Sequence, residues 1–417
     1  MDDSIYRLRN HDLLLLVLLA VLGLGVIMVQ SASMGIATPK PAADGSVQDE
    51  MAFRMTDLGR KQLLFAGVGV MLFLIVRQID YARLVPKSGS IVFAPPVWIV
   101  LIAVAACVAV LVPGVGIEKN GARRWLPLGI MQVQPSELAK WAAVIFLAWW
   151  LTYRPVDLTK FKGFVLTLVP IGMLCLLVVI QDFGTAALIA LVSFGMLVVG
   201  RVKGWHLGIV IPPAMAAAYW FVAHKEYRWK RMTAFLDPYA APQQEGYHMI
   251  QSLLSFATGG LTGTGIGGGI QKLGYLPEDT TDFIFATICE ELGLFGAALI
   301  VAFYLAILLL AWQAVKKPRD SFGRMLAFGI GIMICTQAAI NLAVATVSVP
   351  TKGLSLPLVS SGGSGLIITC CALGLLASIL KHERPATGLP GQKPAPRPYH
   401  KPKTIDGRMW AEWTSAA

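Results

Sequence analysis

The run Tyr275-Leu-Pro277-Glu278-Asp279-Thr-Thr281-Asp282-Phe283 gathers three carboxylates at the mouth of a long apolar stretch. A carboxylate at the edge of a low-dielectric region has its pKa raised and can act as a general base toward a hydroxyl. A second set is cationic: Arg123 and Arg124 stand beside Trp125, and Arg228, Lys230, Arg231, Lys272 and Lys352 fall in other segments between apolar stretches. Arginine and lysine clamp diphosphates, and a tryptophan beside them can stack on a sugar or sit at headgroup level. A third set lies inside or at the ends of the apolar stretches, where charge is expensive and marks a pathway or a site. Glu137 and Lys140 are three apart and so share a helix face, Asp182 stands at the junction of two stretches, and Glu290 and Glu291 lie about two turns into another. A buried Lys140 requires a counterion, for which Glu137 and Asp182 are the candidates; a pair with Asp182 in a cavity wall is the arrangement expected.

Other signals exclude chemistry. The glycine run Gly259-Gly260-Leu-Thr-Gly263-Thr-Gly265-Ile-Gly267-Gly268-Gly269 has no Gly-Lys-Ser/Thr ending and no flanking strand, so it is not a nucleotide site. Its glycines either let backbone approach a ligand or make sharp turns. Cys107, Cys175, Cys289, Cys335, Cys370 and Cys371 all lie in apolar segments without metal-ligand spacing to histidine, which leaves neither a disulfide framework nor a zinc site. The net charge of +11 is scattered over short loops and a tail rather than gathered on one face, so it reads as membrane orientation and not as nucleic-acid binding.

The elements that position these groups are membrane spans. Of 417 residues, 56% are hydrophobic and 14% charged, against about a quarter charged in soluble domains. Stretches of about 17 residues or more with almost no charge match the thickness of a hydrocarbon core. They fall near 13–29, 62–77, 91–112, 138–152, 164–180, 184–200, 205–223, 283–313, 324–346 and 362–381, which predicts an all-α polytopic protein of about ten spans within residues 1–385. The first span has no small-residue cleavage site and is expected to remain. With both termini cytoplasmic, Arg77, Arg83, Arg201, Lys203, Lys316, Lys317 and Arg319 all fall inside, as the positive-inside rule requires. Segments 30–61, 113–137, 224–282 and 347–361 then face outward. The longest, 224–282, carries aromatic and basic residues throughout and is expected to be an ordered loop with short helices. Residues 386–417 are proline-rich and basic, a composition that predicts a disordered cytoplasmic tail.

Five ordered motifs carry a resemblance. They are Gln30-Ser-Ala-Ser33; Gly121-Ala-Arg-Arg-Trp125 with Gln134-Pro-Ser-Glu137 and Lys140; Asp182-Phe-Gly-Thr185; the large-loop series from Phe235-Leu-Asp-Pro238 through Gln251-Ser252, Gln271-Lys-Leu273, Leu276-Pro-Glu278, Thr281-Asp-Phe-Ile-Phe285 and Glu290-Glu-Leu-Gly293; and Pro350-Thr-Lys-Gly-Leu-Ser-Leu-Pro357 with Ser360-Ser-Gly-Gly-Ser364. Through these the chain resembles the SEDS family of peptidoglycan glycosyltransferases (shape, elongation, division and sporulation) from its first span to about residue 381. Gly121-Ala-Arg-Arg-Trp125 and Pro350-Thr-Lys-Gly353 look like its cell-division branch rather than its elongation branch. The chain departs from the family pattern at Asp279, Thr280, Gln181 and Ser361, without loss of a carboxylate or lysine that the family mechanism needs.

The resemblance implies polymerisation of lipid II into a nascent glycan chain at the division septum, on the outer side of a bacterial inner membrane. A class B penicillin-binding protein and other division proteins are the implied partners. Asp282 is then expected as the base, with Arg123, Arg124 and Lys352 at the diphosphate, aided by a divalent cation such as Mg or Mn. Trp125, Glu137, Lys140, Asp182, Gln251, Ser252, Lys272, Glu278, Ser360 and Ser364 are expected to line the substrate cavity. Two rival readings are a lipid II flippase, which needs polar groups along the whole crossing, and a non-catalytic scaffold of the division machinery.

Overall fold

The computed structural model describes residues 9–34, 55–86, 93–119, 122–129, 131–153, 157–224, 226–244 and 246–382. The predicted tail therefore lies outside the described residues. Twelve α-helices and one small sheet are described. The apolar helices of the bundle are α1 (Asn10–Met34), α2 (Asp57–Val76), α3 (Pro95–Leu111), α4 (Pro135–Tyr153), α5 (Phe161–Val179), α6 (Phe183–Val199), α7 (Gly204–Ala223), α10 (Ile284–Lys316), α11 (Ser321–Ala345) and α12 (Gly363–Lys381). Their limits follow the apolar stretches of the sequence closely, because a continuous run of such side chains gains most as helix in a solvent without hydrogen-bond partners. Seven of them (α1, α2, α5, α7, α10, α11 and α12) are long and apolar enough to cross a membrane by length and composition; α3 and α6 are apolar but shorter.

Helix α4 is buried on all sides from Pro135 to Leu151 except at Leu138, and α11 packs against both it and α10. Helix α4 also packs against α3, α5, α6 and α12. Polar residues at helix starts fix the register there: Asp182 Oδ1 accepts from Thr185 N at 3.1 Å at the head of α6, and Asp320 Oδ1 accepts from Gly323 N at 2.7 Å at the head of α11.

Between α3 and α4 lies a three-stranded antiparallel sheet that the hydropathy of the sequence does not predict, formed by β1 (Ile117–Lys119), β2 (Ala122–Leu128) and β3 (Met131–Val133). In the segment 224–282 the expected short helices are present as α8 (Glu226–Leu236) and α9 (Tyr247–Gly259). Helices α4 and α12 meet this sheet, and α10 meets α9, at one end of the bundle.

Helix α10 is broken near its start. Gly293 takes φ 63° and ψ −155°, which interrupts the helical hydrogen-bond ladder. The glycine run repairs the break: Thr264 N donates to Glu290 O and Gly265 N to Glu291 O, each at 3.0 Å, and Leu294 N donates to Gly260 O at 3.0 Å. Orphaned backbone groups are thereby satisfied. A Cβ on Gly259 or Gly263 would collide with the carbonyls of Cys289 and Glu291. Gly259 and Gly263 thus serve a close approach of backbone to backbone.

Candidate functional site

Asp282 sits where the large loop enters α10. Backbone bonds set its turn, since Thr281 N and Phe283 N both donate to Glu278 O at 3.1 Å, with Glu278 itself in the left-handed region at φ 58°. The segment 350–361 closes over this turn. Ser360 Oγ accepts from Leu356 N at 2.7 Å and donates to Thr281 O at 2.6 Å, and Ser361 N donates to Thr280 O at 2.8 Å. Asn341 Nδ2 adds bonds to Asp282 O and Leu354 O.

Basic groups then face the carboxylate. A methyl placed on Gly353 would lie 3.3 Å from Asp282 Oδ2 and 3.9 Å from Arg124 Nη1, so both side chains border that glycine. Arg124 Nε is buried and has no hydrogen-bond partner among the described residues. Strand alternation separates the two arginines: Arg124 points to Asp282, whereas Arg123 turns away to Glu118, at 3.3 Å. Trp125, beside them on β2, stands opposite Ile117 of β1. Lys352 Nζ lies 5.0 Å from the centroid of the Phe183 ring, which stacks on Phe221, and the guanidinium of Arg228 covers Phe221 at 3.9 Å. Two cations thus bracket an aromatic pair, a favourable arrangement for both.

Burial pushes the Asp282 carboxyl up to about 7; the charges of Glu278 and Asp182 raise it further, while Arg231 and Arg124 oppose them. Asp279 is raised to about 6, again by burial first. The Lys352 ammonium is held below its ordinary value by burial, partly offset by Asp182. The result is a carboxyl that titrates near neutrality within electrostatic reach of Arg231 and Arg124.

Asp182 therefore belongs to this cluster, and the expected Lys140–Asp182 pair does not form. Lys140 Nζ instead meets Glu137 Oε1 at 2.9 Å and Gln337 Oε1 at 2.7 Å. The reason is local: residues three apart on a helix are neighbours, and Asp182 is already engaged in capping α6, where its Oδ2 also accepts from Thr185 Oγ1 at 2.6 Å. Glu137, Gln337, Ser355 and Ser360 line a small hollow under the 350–361 segment. Ser364 Oγ accepts from Gln134 N at 3.2 Å and so ties α12 to the head of α4.

Other expected site residues hold the loop rather than face Asp282. Lys272 Nζ meets Glu291 Oε1 at 2.7 Å and Ser31 Oγ at 3.1 Å, and Glu290 Oε1 accepts from Ile270 N at 2.7 Å. Ser252 Oγ donates to Ala345 O at 2.6 Å, which seats α9 on the end of α11, and Gln251 precedes it on the same helix. Glu278 is exposed and accepts from Thr281 Oγ1 at 2.6 Å. Sequence reasoning missed Gln337 and Asn341, although two amides four apart in an apolar helix were a visible signal.

Residues 11–385 match the family model for FtsW, RodA and SpoVE, described as "Cell cycle protein". A probable peptidoglycan glycosyltransferase FtsW of Nitrosococcus halophilus is 38% identical over 86% of this chain and 89% of its own length. The corresponding protein of a Thioalkalivibrio species is 37% identical over 97% and 96%. Among solved structures, a chain from work titled "Structural coordination of polymerization and crosslinking by a peptidoglycan synthase complex" matches with a TM-score of 0.68 at 29% identity, over 88% of this chain and 96% of that one. The rod shape determining protein RodA of Thermus thermophilus matches at 0.60 and 25% identity, over 89% and 96%. With its motifs, its bundle and its match over nearly the whole described length, the chain belongs to the FtsW/RodA/SpoVE family.

Proposed function

We propose that this protein is a peptidoglycan glycosyltransferase that polymerises lipid II into glycan strands during septal wall synthesis, at the outer face of the bacterial cytoplasmic membrane. The observation that supports the reading is the Asp282 carboxyl, titrating near neutrality, with Arg124 of β2 beside the same Gly353 and Lys352 of the 350–361 segment beside Asp182. The acceptor 4-hydroxyl attacks the anomeric carbon of the growing chain, and the bond to the lipid diphosphate breaks with inversion. Asp282 takes the hydroxyl proton, and the chain's cations meet the charge that develops on the diphosphate. Among the described residues no group of three or more His, Cys, Asp or Glu side chains is placed to hold a metal by itself; a divalent cation such as Mg or Mn would be shared with the diphosphate, beside the charge that Arg124 and Lys352 supply. A class B penicillin-binding protein is the expected partner, in keeping with the synthase-complex title of the structural relative. Clustering of the polar groups at one end of the bundle favours polymerisation over flipping.

The test is polymerisation of labelled lipid II by the purified protein with that partner. Asp282→Asn keeps size and removes the basic lone pair, so the rate should fall by about 10²–10⁴-fold. Near-normal glycan from Asp282→Asn overturns the assignment, and a selective loss in Asp279→Asn moves the base three residues upstream.

A further inference from the structure

Gln337 and Asn341 lie one turn apart on the same face of α11, and each holds backbone of the segment that carries Lys352. Gln337 Nε2 donates to Ser355 O at 2.8 Å while its Oε1 accepts from Lys140. Asn341 Nδ2 donates to Leu354 O at 2.7 Å and to Asp282 O at 2.8 Å. Asn341 is 1% exposed, and its Oδ1 is buried without a hydrogen-bond partner among the described residues.

That arrangement is costly, because a buried acceptor left unpaired carries its full desolvation penalty. What the position demands is two donors on one atom, aimed at two carbonyls from segments far apart in the chain. A hydroxyl offers one donor, and a carboxylate or an aliphatic side chain offers none. The carbonyls belong to Asp282 itself and to Leu354, two residues beyond Lys352, so this single nitrogen ties the Asp282 turn to the segment that carries Lys352. Behind it, Gln337 joins the same segment to the Glu137–Lys140 pair.

We propose that Asn341, seconded by Gln337, is a positioning residue that fixes the separation of the Asp282 turn and the Lys352 segment. The inference rests on the reading of Asp282 as the base. In the lipid II assay with the purified pair of proteins, Asn341→Leu should lower kcat by about 10²-fold, the cost of roughly 1 Å of misplacement. KM should stay within about threefold, since the bond is not a substrate contact. The acid limb of the pH–rate profile should also move, because Asp282 changes its distance to its charged neighbours. A role in stability alone predicts a lower Tm with kcat and the acid limb at their wild-type values, and that result overturns the proposal. Should Asn341→Leu not fold, Asn341→Ser keeps one donor and should give an intermediate kcat; a wild-type kcat there is equally fatal. Asp282→Asn in parallel separates the two claims. An inactive Asp282→Asn beside a wild-type-like Asn341→Leu overturns only the positioning role, whereas a fully active Asp282→Asn removes both.

Discussion

Three influences meet at the Asp282 carboxyl: burial, the like charges of Glu278 and Asp182, and the opposing charges of Arg231 and Arg124. A base works only when ionised, so the polymerisation rate should rise as pH increases through about 7 and fall tenfold per unit well below it. Glu278 raises the carboxyl, and removing its charge should let Asp282 ionise at lower pH. Glu278→Gln is therefore expected to move the acid limb of kcat/KM downward. Asp279→Asn should shift it far less. Because Glu278 also raises Asp279, an acid limb that persists in Asp282→Asn and disappears in Asp279→Asn would transfer the titration to Asp279.

Helix α10 depends on a partner for its own continuity. Its break at Gly293 exposes the carbonyls of Glu290 and Glu291, and the glycine run supplies the missing donors. Gly263 combines a φ of +77° with a Cβ direction aimed at Glu291 O, while Gly265 has a φ of +90° but open space around it. Alanine at either position is strained by about 1–3 kcal/mol from backbone alone. At Gly263 the steric conflict adds to that, so Gly263→Ala should lower Tm clearly more than Gly265→Ala. Equal shifts in thermal unfolding of the purified protein would mean that the docking of the run against α10 contributes nothing to stability. Because the same segment leads through Lys272 and its bond to Glu291 into the Asp282 turn, the looser variant should lose activity as well.

For the molecule as a whole, polarity is divided between two ends. The site end holds the Asp282 cluster, the sheet and the large loop; the opposite end carries Arg77, Arg83, Lys160, Lys203, Arg319 and Lys381, where Arg319 meets Asp80 at 3.2 Å. Between them, helices such as α7, which buries only His206 and Leu207, turn apolar side chains outward to lipid. Basic loops are retained in the cytoplasm, so the site end should face outward. A cysteine introduced at the exposed Thr258 should then react with a membrane-impermeant thiol reagent in intact spheroplasts. Reaction only after lysis would invert the topology and place the Asp282 cluster in the cytoplasm.

The apolar stretches were readable as helices because hydrocarbon leaves a backbone no alternative, and their ends in the structure fall within a few residues of the hydropathy limits, although only seven of the ten are long and apolar enough to count as spans. Asp282 and Lys352 were legible only as candidates: a carboxylate where a loop enters an apolar stretch, and a lysine on the side that the positive-inside rule disfavours. Other features depend on distance through space. Strands of three, seven and three residues pair by backbone bonds that leave little trace in hydropathy, so the sheet that aims Arg124 inward and Arg123 outward was not foreseen. The partner of Lys140 followed from helix periodicity, yet the choice of Glu137 over Asp182 was decided by the cap that Asp182 provides to α6. Asn341 reads in sequence as one amide in an apolar helix. Only the fold brings the carbonyls of Asp282 and Leu354, 59 and 13 residues away, to a single nitrogen; such proximity arises from helix packing, which one-dimensional patterns of polarity do not encode.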